Sequence, residues 1–221
     1  VTSNGLQTTH SKRCKEWCYS KNKGITPKNI IAGSSKKLWW KCDKGDDHYW
    51  QASPNSRTTN NTGCPICTNQ IVVKSNCLNT VYPKLAKEWH PTKNKLTTLD
   101  VSSKSTLKAW WICDKGDDHE WKANIGNRNS LNNGCAICSG HIIVKSNSLQ
   151  TLNPKLAAEW HPTKNKKLKP QHVSQSSGAK VWWQCHNSKE HEWKASIASR
   201  NSGRGCPFCA GRKVNTSNNL L

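Results

Sequence analysis

Apolar residues in this chain fall in short bursts between long polar stretches, and the bursts recur. In residues 83–89, Pro-Lys-Leu-Ala-Lys-Glu-Trp, Leu85 and Trp89 stand four apart. That spacing, with proline in the first turn, predicts a short helix. Residues 154–160 repeat it, and residues 11–17 are the equivalent, with Cys14 where the others have alanine. Trp39-Trp40, Trp110-Trp111 and Trp182-Trp183 each open a W-W-x-C stretch that predicts a strand. Beyond it, His48, Trp50 and Ala52 alternate with Tyr49 and Gln51, the period of a second strand. Residues 43–47 join the two tightly, so the pair predicts a hairpin. A polar stretch then leads to a C-x-x-C, expected at a turn running into a short helical segment.

The spacing divides the chain. Cys42 and Cys113 are 71 residues apart, Cys113 and Cys185 are 72. Internal periodicity of this kind reads as a tandem array. The expected modules are 1–72, 73–143 and 144–213. Their openings also align: Val1-Thr2-Ser3-Asn4, Val73-Lys74-Ser75-Asn76 and Val144-Lys145-Ser146-Asn147. Residues 214–221 restart the pattern, as expected of a piece of a longer array.

Each module carries three cysteines and one histidine at held spacing. Five residues separate the first cysteine from the histidine in all three copies. From histidine to C-x-x-C there are 15, 15 and 14. Such a set matches a closed tetrahedral zinc site, which takes four soft or borderline ligands. Composition points the same way. Only 33% of the 221 residues are hydrophobic, with no Met and one Phe, while twelve Trp carry the apolar bulk. A unit of about 70 residues with so small a core needs a staple, and bound metal supplies folding energy. Nine of the twelve cysteines lie in these sets, beside a histidine that a disulfide framework would not need. Reduced thiolates and an intracellular compartment (nucleus, cytoplasm or virion) are therefore expected. No stretch is long and apolar enough to span a membrane, and no small-molecule substrate is expected.

The motifs resemble a family of treble-clef, zinc-ribbon-like repeats with the pattern L-A-x-E-W-H-P-T-K-N, V-W-W-x-C, G-H-E-W-x-A and G-C-P-x-C. Residues 156–165 and 181–209 match closely. The second module has Ala136 for the proline, and the first has Cys18 for the histidine and Tyr49 for the glutamate. The resemblance implies a small metal-stabilised α+β fold: a tandem array of treble-clef modules built from short hairpins and short helices. It implies three Zn2+ per chain, held by Cys42, His48, Cys64 and Cys67; by Cys113, His119, Cys135 and Cys138; and by Cys185, His191, Cys206 and Cys209. The family has glycine before the ligand histidine, where this chain has Asp47, Asp118 and Glu190.

Two alternatives stand beside that ligand set. Cys18, His90 and His161 share one column and exchange Cys for His, as ligands do. His10, Cys14 and Cys18 fall at i, i+4 and i+8, which suits an additional metal site or a redox pair. Cys77 aligns with Gly5 and Ser148 and reads as incidental.

The formal net charge is +21; three thiolates and one Zn2+ per site bring it to about +18. Such a chain suits a polyanion, nucleic acid foremost. Basic and acidic residues number 11 and 4 in residues 1–72, 10 and 6 in 73–143, and 13 and 3 in 144–213. The third module is therefore expected to bind most strongly. Candidate phosphate contacts are Lys93, Lys95, Lys164, Lys166 and Lys167 in the loops after the helix, Arg204, and the recurring Arg57, Arg128 and Arg200. Those three arginines read equally as loop braces. The tryptophans read mainly as core, though one of each pair could face outward and stack on bases. The Asp46-Asp47 and Asp117-Asp118 loops are expected to face away from phosphate. Three functions follow. The first is a non-catalytic nucleic-acid binder. The second is a scaffold whose modules meet protein partners in a large assembly such as a virion. The third, a metal-dependent nuclease, would need an open metal position and a general base, and no repeated carboxylate cluster offers one.

Overall fold

The computed structural model describes residues 3–130 and 133–214. Val1, Thr2 and the restarted pattern beyond Val214 lie outside the described residues.

Each repeat builds the same short elements. The first has α1 (Leu6–Thr9), α2 (Ser11–Cys14), β1 (Leu38–Lys41), β2 (Tyr49–Ala52) and α3 (Pro54–Thr58). The second has α4 (Leu78–Val81), α5 (Pro83–Ala86), β3 (Lys108–Ile112), β4 (Glu120–Asn124) and α6 (Ile125–Ser130). The third has α7 (Leu149–Leu152), α8 (Pro154–Ala158), a 3-10 turn (Pro170–His172), β5 (Lys180–Gln184), β6 (Glu192–Ser196) and α9 (Ile197–Asn201). Consecutive strands form three two-stranded sheets.

The hairpins form as the alternation requires. Trp40 pairs with Trp50 and Trp183 with Trp193 across antiparallel strands, so period 2 puts both rings of each pair on the buried face. Trp40, Trp111 and Trp183 are fully buried, and the preceding Trp39, Trp110 and Trp182 are half-buried. A buried indole needs a partner for its N–H. Trp40 Nε1 donates to Ala52 O at 2.9 Å and Trp183 Nε1 to Ala195 O at 3.1 Å.

The helix expected over 83–89 and its equivalents is shorter than its sequence implies. It stops at Cys14, Ala86 and Ala158. The following Glu-Trp-Cys/His segment runs beside the hairpin instead. Lys41 N donates to Glu16 O at 2.8 Å and Cys18 N to Trp39 O at 3.2 Å; Gln184 N to Glu159 O and His161 N to Trp182 O repeat this. Strand bonds outcompete one more helical turn because they bring a tryptophan to the core. Trp17 meets Trp40 edge-on at 5.2 Å, and Trp160 meets Trp183 at 5.4 Å. An offset aromatic pair of this kind adds about 1 kcal/mol beyond its area.

The segment after C-x-x-C also departs from expectation. It is a single turn, Thr68 N to Cys64 O at 3.3 Å, that ends in left-handed backbone at Asn69, Gly140 and Gly211. Glycine and asparagine tolerate that conformation, and it halts any helix there.

The cores are small. In the first repeat Leu6, Trp17, Leu38, Trp40, Trp50 and Ile66 pack together with Cys42 and Cys64 at the edge. In the third, Leu149, Leu156, Val173, Val181, Trp183, Trp193 and Ile197 pack with Cys185 and Cys206. The chain forms two compact units. One runs up to Ala109 and resumes at Ala123; the other takes Trp110–Lys122 and the chain from Asn133. Among the described residues no helix is long and apolar enough to cross a membrane.

Candidate metal centres

The first two ligands of each centre sit where the hairpin closes. Cys42 N donates to His48 O at 3.0 Å, and His48 N donates to Gly45 O at 3.2 Å. Cys113 with His119, and Cys185 with His191, repeat the first bond. Gly45 passes directly under the imidazole: a Cβ there would lie 2.6 Å from His48 Cδ2, and one on Gly116 2.8 Å from His119 Cδ2. The last two ligands come from the C-x-x-C turn.

The four ligand atoms of each set lie within 4.8 Å of one another. Cys42 Sγ is 3.7 Å from Cys67 Sγ, and His48 Nδ1 is 3.8 Å from Cys64 Sγ and 3.5 Å from Cys67 Sγ. In the second set the same separations are 3.8, 3.7 and 3.4 Å. In the third they are 3.7, 3.7 and 3.5 Å. Tetrahedral zinc, with Zn–S of ~2.3 Å and Zn–N of ~2.05 Å, spaces sulfurs about 3.8 Å apart and sulfur from nitrogen about 3.6 Å. The residues therefore fit the ion. A disulfide needs sulfurs at about 2.05 Å, and all twelve cysteines are free.

Protonation agrees. Burial, then the neighbouring thiols, push the Cys67 thiol up to about 12 and the Cys138 thiol to about 11. Burial likewise lifts Cys185 to about 11, while a hydrogen bond from Asn187 lowers Cys209. Thiols crowded this closely ionise together only around a cation. Nδ1 of the histidine faces the sulfurs and is the atom that would hold the ion, and in the third centre the ring stacks on Phe208 at 5.0 Å.

The family model described as "Probable Treble clef zinc finger domain" matches residues 14–70, 85–141 and 156–212. The chain belongs to this treble-clef zinc finger family. Its three modules each hold one Cys3His set able to bind a metal ion, in accord with three Zn2+ per chain. No curated protein is significantly similar to it.

The alternative ligands lie elsewhere. His161 Nδ1 accepts from the N–H of Thr163 at 3.2 Å and Lys164 at 3.1 Å, so its proton sits on Nε2, 2.6 Å from Glu192. His90 Nδ1 likewise accepts from Thr92 and Lys93. These histidines brace the loop that carries the lysines. In the first repeat Cys18 and Tyr49 stand where the third has His161 and Glu192, and Lys21 lies over the Tyr49 ring at 4.4 Å. The two departures from the family pattern are thus one paired exchange. Cys14 Sγ turns to backbone carbonyls of Leu6 and His10, and Cys18 Sγ to Ser20. The His10, Cys14 and Cys18 spacing therefore forms no metal cluster among the described residues.

Arg57, Arg128 and Arg200 require a correction as candidate phosphate contacts. They are 0%, 4% and 7% exposed. Arg57 pairs with Glu16, Arg128 with Glu88 and Arg200 with Glu159. Arg57 lies 5.1 Å from the Trp50 ring, and Arg200 lies 5.3 and 5.1 Å from Trp183 and Trp193. They brace each module from within, because α3, α6 and α9 aim them inward. Burial first, then Arg13, lowers the Arg57 guanidinium to about 10, still cationic at neutral pH.

Lys93, Lys95, Lys164, Lys166, Lys167 and Arg204 are exposed. Asn165 fixes the third lysine loop against the hairpin, donating to Trp182 O and accepting from Trp182 N, both at 2.8 Å. Asn22 does the same for Trp39. Sequence alone did not point to Ser75 and Ser146, which reach the ligand histidines from the following repeat. Their recurrence in each opening turn was the available signal.

Proposed function

We propose that this chain is a non-catalytic, zinc-stapled repeat protein that binds nucleic acid through its phosphates. One observation carries the reading: exposed lysines stand beside half-exposed tryptophans on loops pinned by asparagine. Lys21 Nζ lies 4.3 Å from the Trp39 ring centroid, and Lys164 Nζ lies 4.9 Å from that of Trp182. Cations supply sequence-independent affinity, Lys164 on leaving Glu192, and a half-exposed ring stacks on an unpaired base once the lysine above it moves to a phosphate. Each candidate centre spends four ligands and includes no carboxylate, which leaves no open position for hydrolysis. Thiolate zinc sites of this kind suit a reducing compartment.

The test is an electrophoretic shift with duplex DNA, single-stranded DNA and RNA across a salt series, with a chelated sample as control. Binding that weakens steeply with salt supports the reading. Absence of binding to all three overturns it.

A second reading has its own support. Val81, Tyr82, Leu96, Leu99 and Leu107 are all exposed, and they lie in the repeat with the smallest net charge. That repeat suits a protein partner, as a scaffold within a large assembly would need. Its test is pull-down or cross-linking with a Tyr82→Ser, Leu99→Ser variant as control.

A further inference from the structure

We infer that the first and second metal centres are each completed by the opening turn of the repeat that follows. The inference does not depend on what the surface binds. A ligand histidine has one free ring nitrogen, and whatever that nitrogen bonds fixes the tautomer and the ring's direction. His48 Nε2 meets Ser75 Oγ at 3.2 Å, and His119 Nε2 meets Ser146 Oγ at 3.1 Å. Both histidines ligate through Nδ1, so Nε2–H donates and the serine hydroxyl accepts.

The acceptor is itself held. Ser75 N donates to Asp47 Oδ2 at 2.8 Å, and Ser146 N donates to Asp118 Oδ2 at 2.9 Å. Those aspartates stand immediately before the ligand histidine, where the family has glycine. One oxygen of each turns to the next repeat, and the other lies 3.9 Å (Asp47) or 4.0 Å (Asp118) from Nε2 of the ligand histidine. The turn also grips the other half of the centre. Asn76 Nδ2 donates to Ile66 O, inside the first C-x-x-C, at 2.9 Å, and Asn147 Nδ2 to Ile137 O at 2.7 Å. The same asparagines close their own turns, accepting from Val73 N and Val144 N at 2.8 Å. One turn thus bonds both the histidine and the cysteine knuckle of the preceding centre, in two independent copies.

Ser75 and Ser146 are therefore positioning residues for a metal that neither touches. Metal binding and ordering of the next opening turn stabilise each other, as linkage requires. Occupancy of the first centre tightens residues 73–78, and occupancy of the second tightens residues 144–149.

The test uses the whole chain loaded with 113Cd2+, whose resonances report each centre separately, and competition for Zn2+ against a chelator. Ser75 is exposed, so Ser75→Ala leaves the core intact. It is expected to shift only the first centre's resonance and to weaken that centre's Zn2+ affinity about 10- to 100-fold. Ser146→Ala is expected to do the same at the second centre. Ser75→Thr, which keeps the hydroxyl, restores the wild-type value. In the reverse direction, Cys64→Ser with Cys67→Ser is expected to speed amide exchange in residues 75–78 but not in 146–149. Unchanged affinity and resonance in both serine-to-alanine variants would overturn the inference. So would an equal loss at all three centres, or a Ser75→Thr variant as weak as alanine.

Discussion

The Arg57 guanidinium lies over the Trp40 ring, 4.9 Å from its centroid, and neither residue is exposed. A buried cation stacked on an aromatic face and paired with a carboxylate holds only while all three groups remain. Glu16 keeps some solvent contact, which moderates its loss. Arg57→Ala, and Arg200→Ala in the third repeat, are each expected to cost about 2–3 kcal/mol in the metal-loaded chain. Lysine cannot lie flat on the ring and still fork to the glutamate, so Arg57→Lys should recover less than half. Urea unfolding followed by tryptophan fluorescence measures this, and nucleic-acid binding by the folded variants should not change.

Metal content follows from the ligand sets. The chain should carry three Zn2+, and Cys206→Ala should carry two. Chelation should abolish most far-UV ellipticity. Acid acts in the same direction. The raised thiols of Cys67, Cys138 and Cys185 hold their protons without a cation and must release them to bind one, so the stability that Zn2+ supplies is present at high pH and lost as pH falls. Each proton released on binding lowers apparent affinity about tenfold per pH unit of acidification. Proton release on Zn2+ addition in weak buffer checks the stoichiometry.

Gly45 and Gly116 leave no room for a side chain beneath the ligand imidazole. Gly116→Ala would place Cβ 3.0 Å from His119 Nε2. The ring must move, and with it the Ser146 bond. Affinity at the second centre is expected to fall about tenfold, as for other disturbances around a ligand. The third repeat has Ser188 at this position, so a Ser188→Ala change there should have no effect on metal affinity.

The exposed cations of the third repeat can be tested without touching the core. Lys166→Gln, Lys167→Gln and Arg204→Gln together should lower the slope of log affinity against log salt by about 3 on duplex DNA, close to 0.9 for each phosphate no longer neutralised. An unchanged slope would move the phosphate surface elsewhere.

Cys18 with Tyr49 replaces His161 with Glu192, so the pair should exchange only as a pair. Cys18→His alone would lack the carboxylate that takes its Nε2 proton and should destabilise the first repeat. Adding Tyr49→Glu should restore part of the loss. A double-mutant cycle by thermal unfolding would give a coupling of about 1 kcal/mol.

The metal sets were legible because ligand chemistry tolerates few residue types and three copies repeat one spacing. The hairpins were legible from alternation at Trp40 and Trp50. Helix lengths were not, because residues 11–17 and their equivalents satisfy a helical pattern that β1 and β5 override from a distance. α3, α6 and α9 hide in polar sequence of five or six residues. Their one local mark is the capping side chain: Ser53 Oγ accepts from Ser56 N at 3.2 Å, Asn124 Oδ1 from Asn127 N at 3.0 Å and Ser196 Oγ from Ser199 N at 3.3 Å. The arginines were ambiguous for the same reason. Arg200 and Arg204 stand four apart in one polar stretch, and only the structure separates the hidden brace, turned inward by α9, from the surface charge beyond the helix end. Ser75 was illegible because its partner belongs to the module before it.

The serine bond joins residues 27 apart in both copies, straddling the join between one duplicated unit and the next. A gene built from such units can lengthen or shorten by whole periods and keep every clasp. A deletion of one codon between the knuckle and the next opening turn would leave two intact-looking fingers that no longer latch.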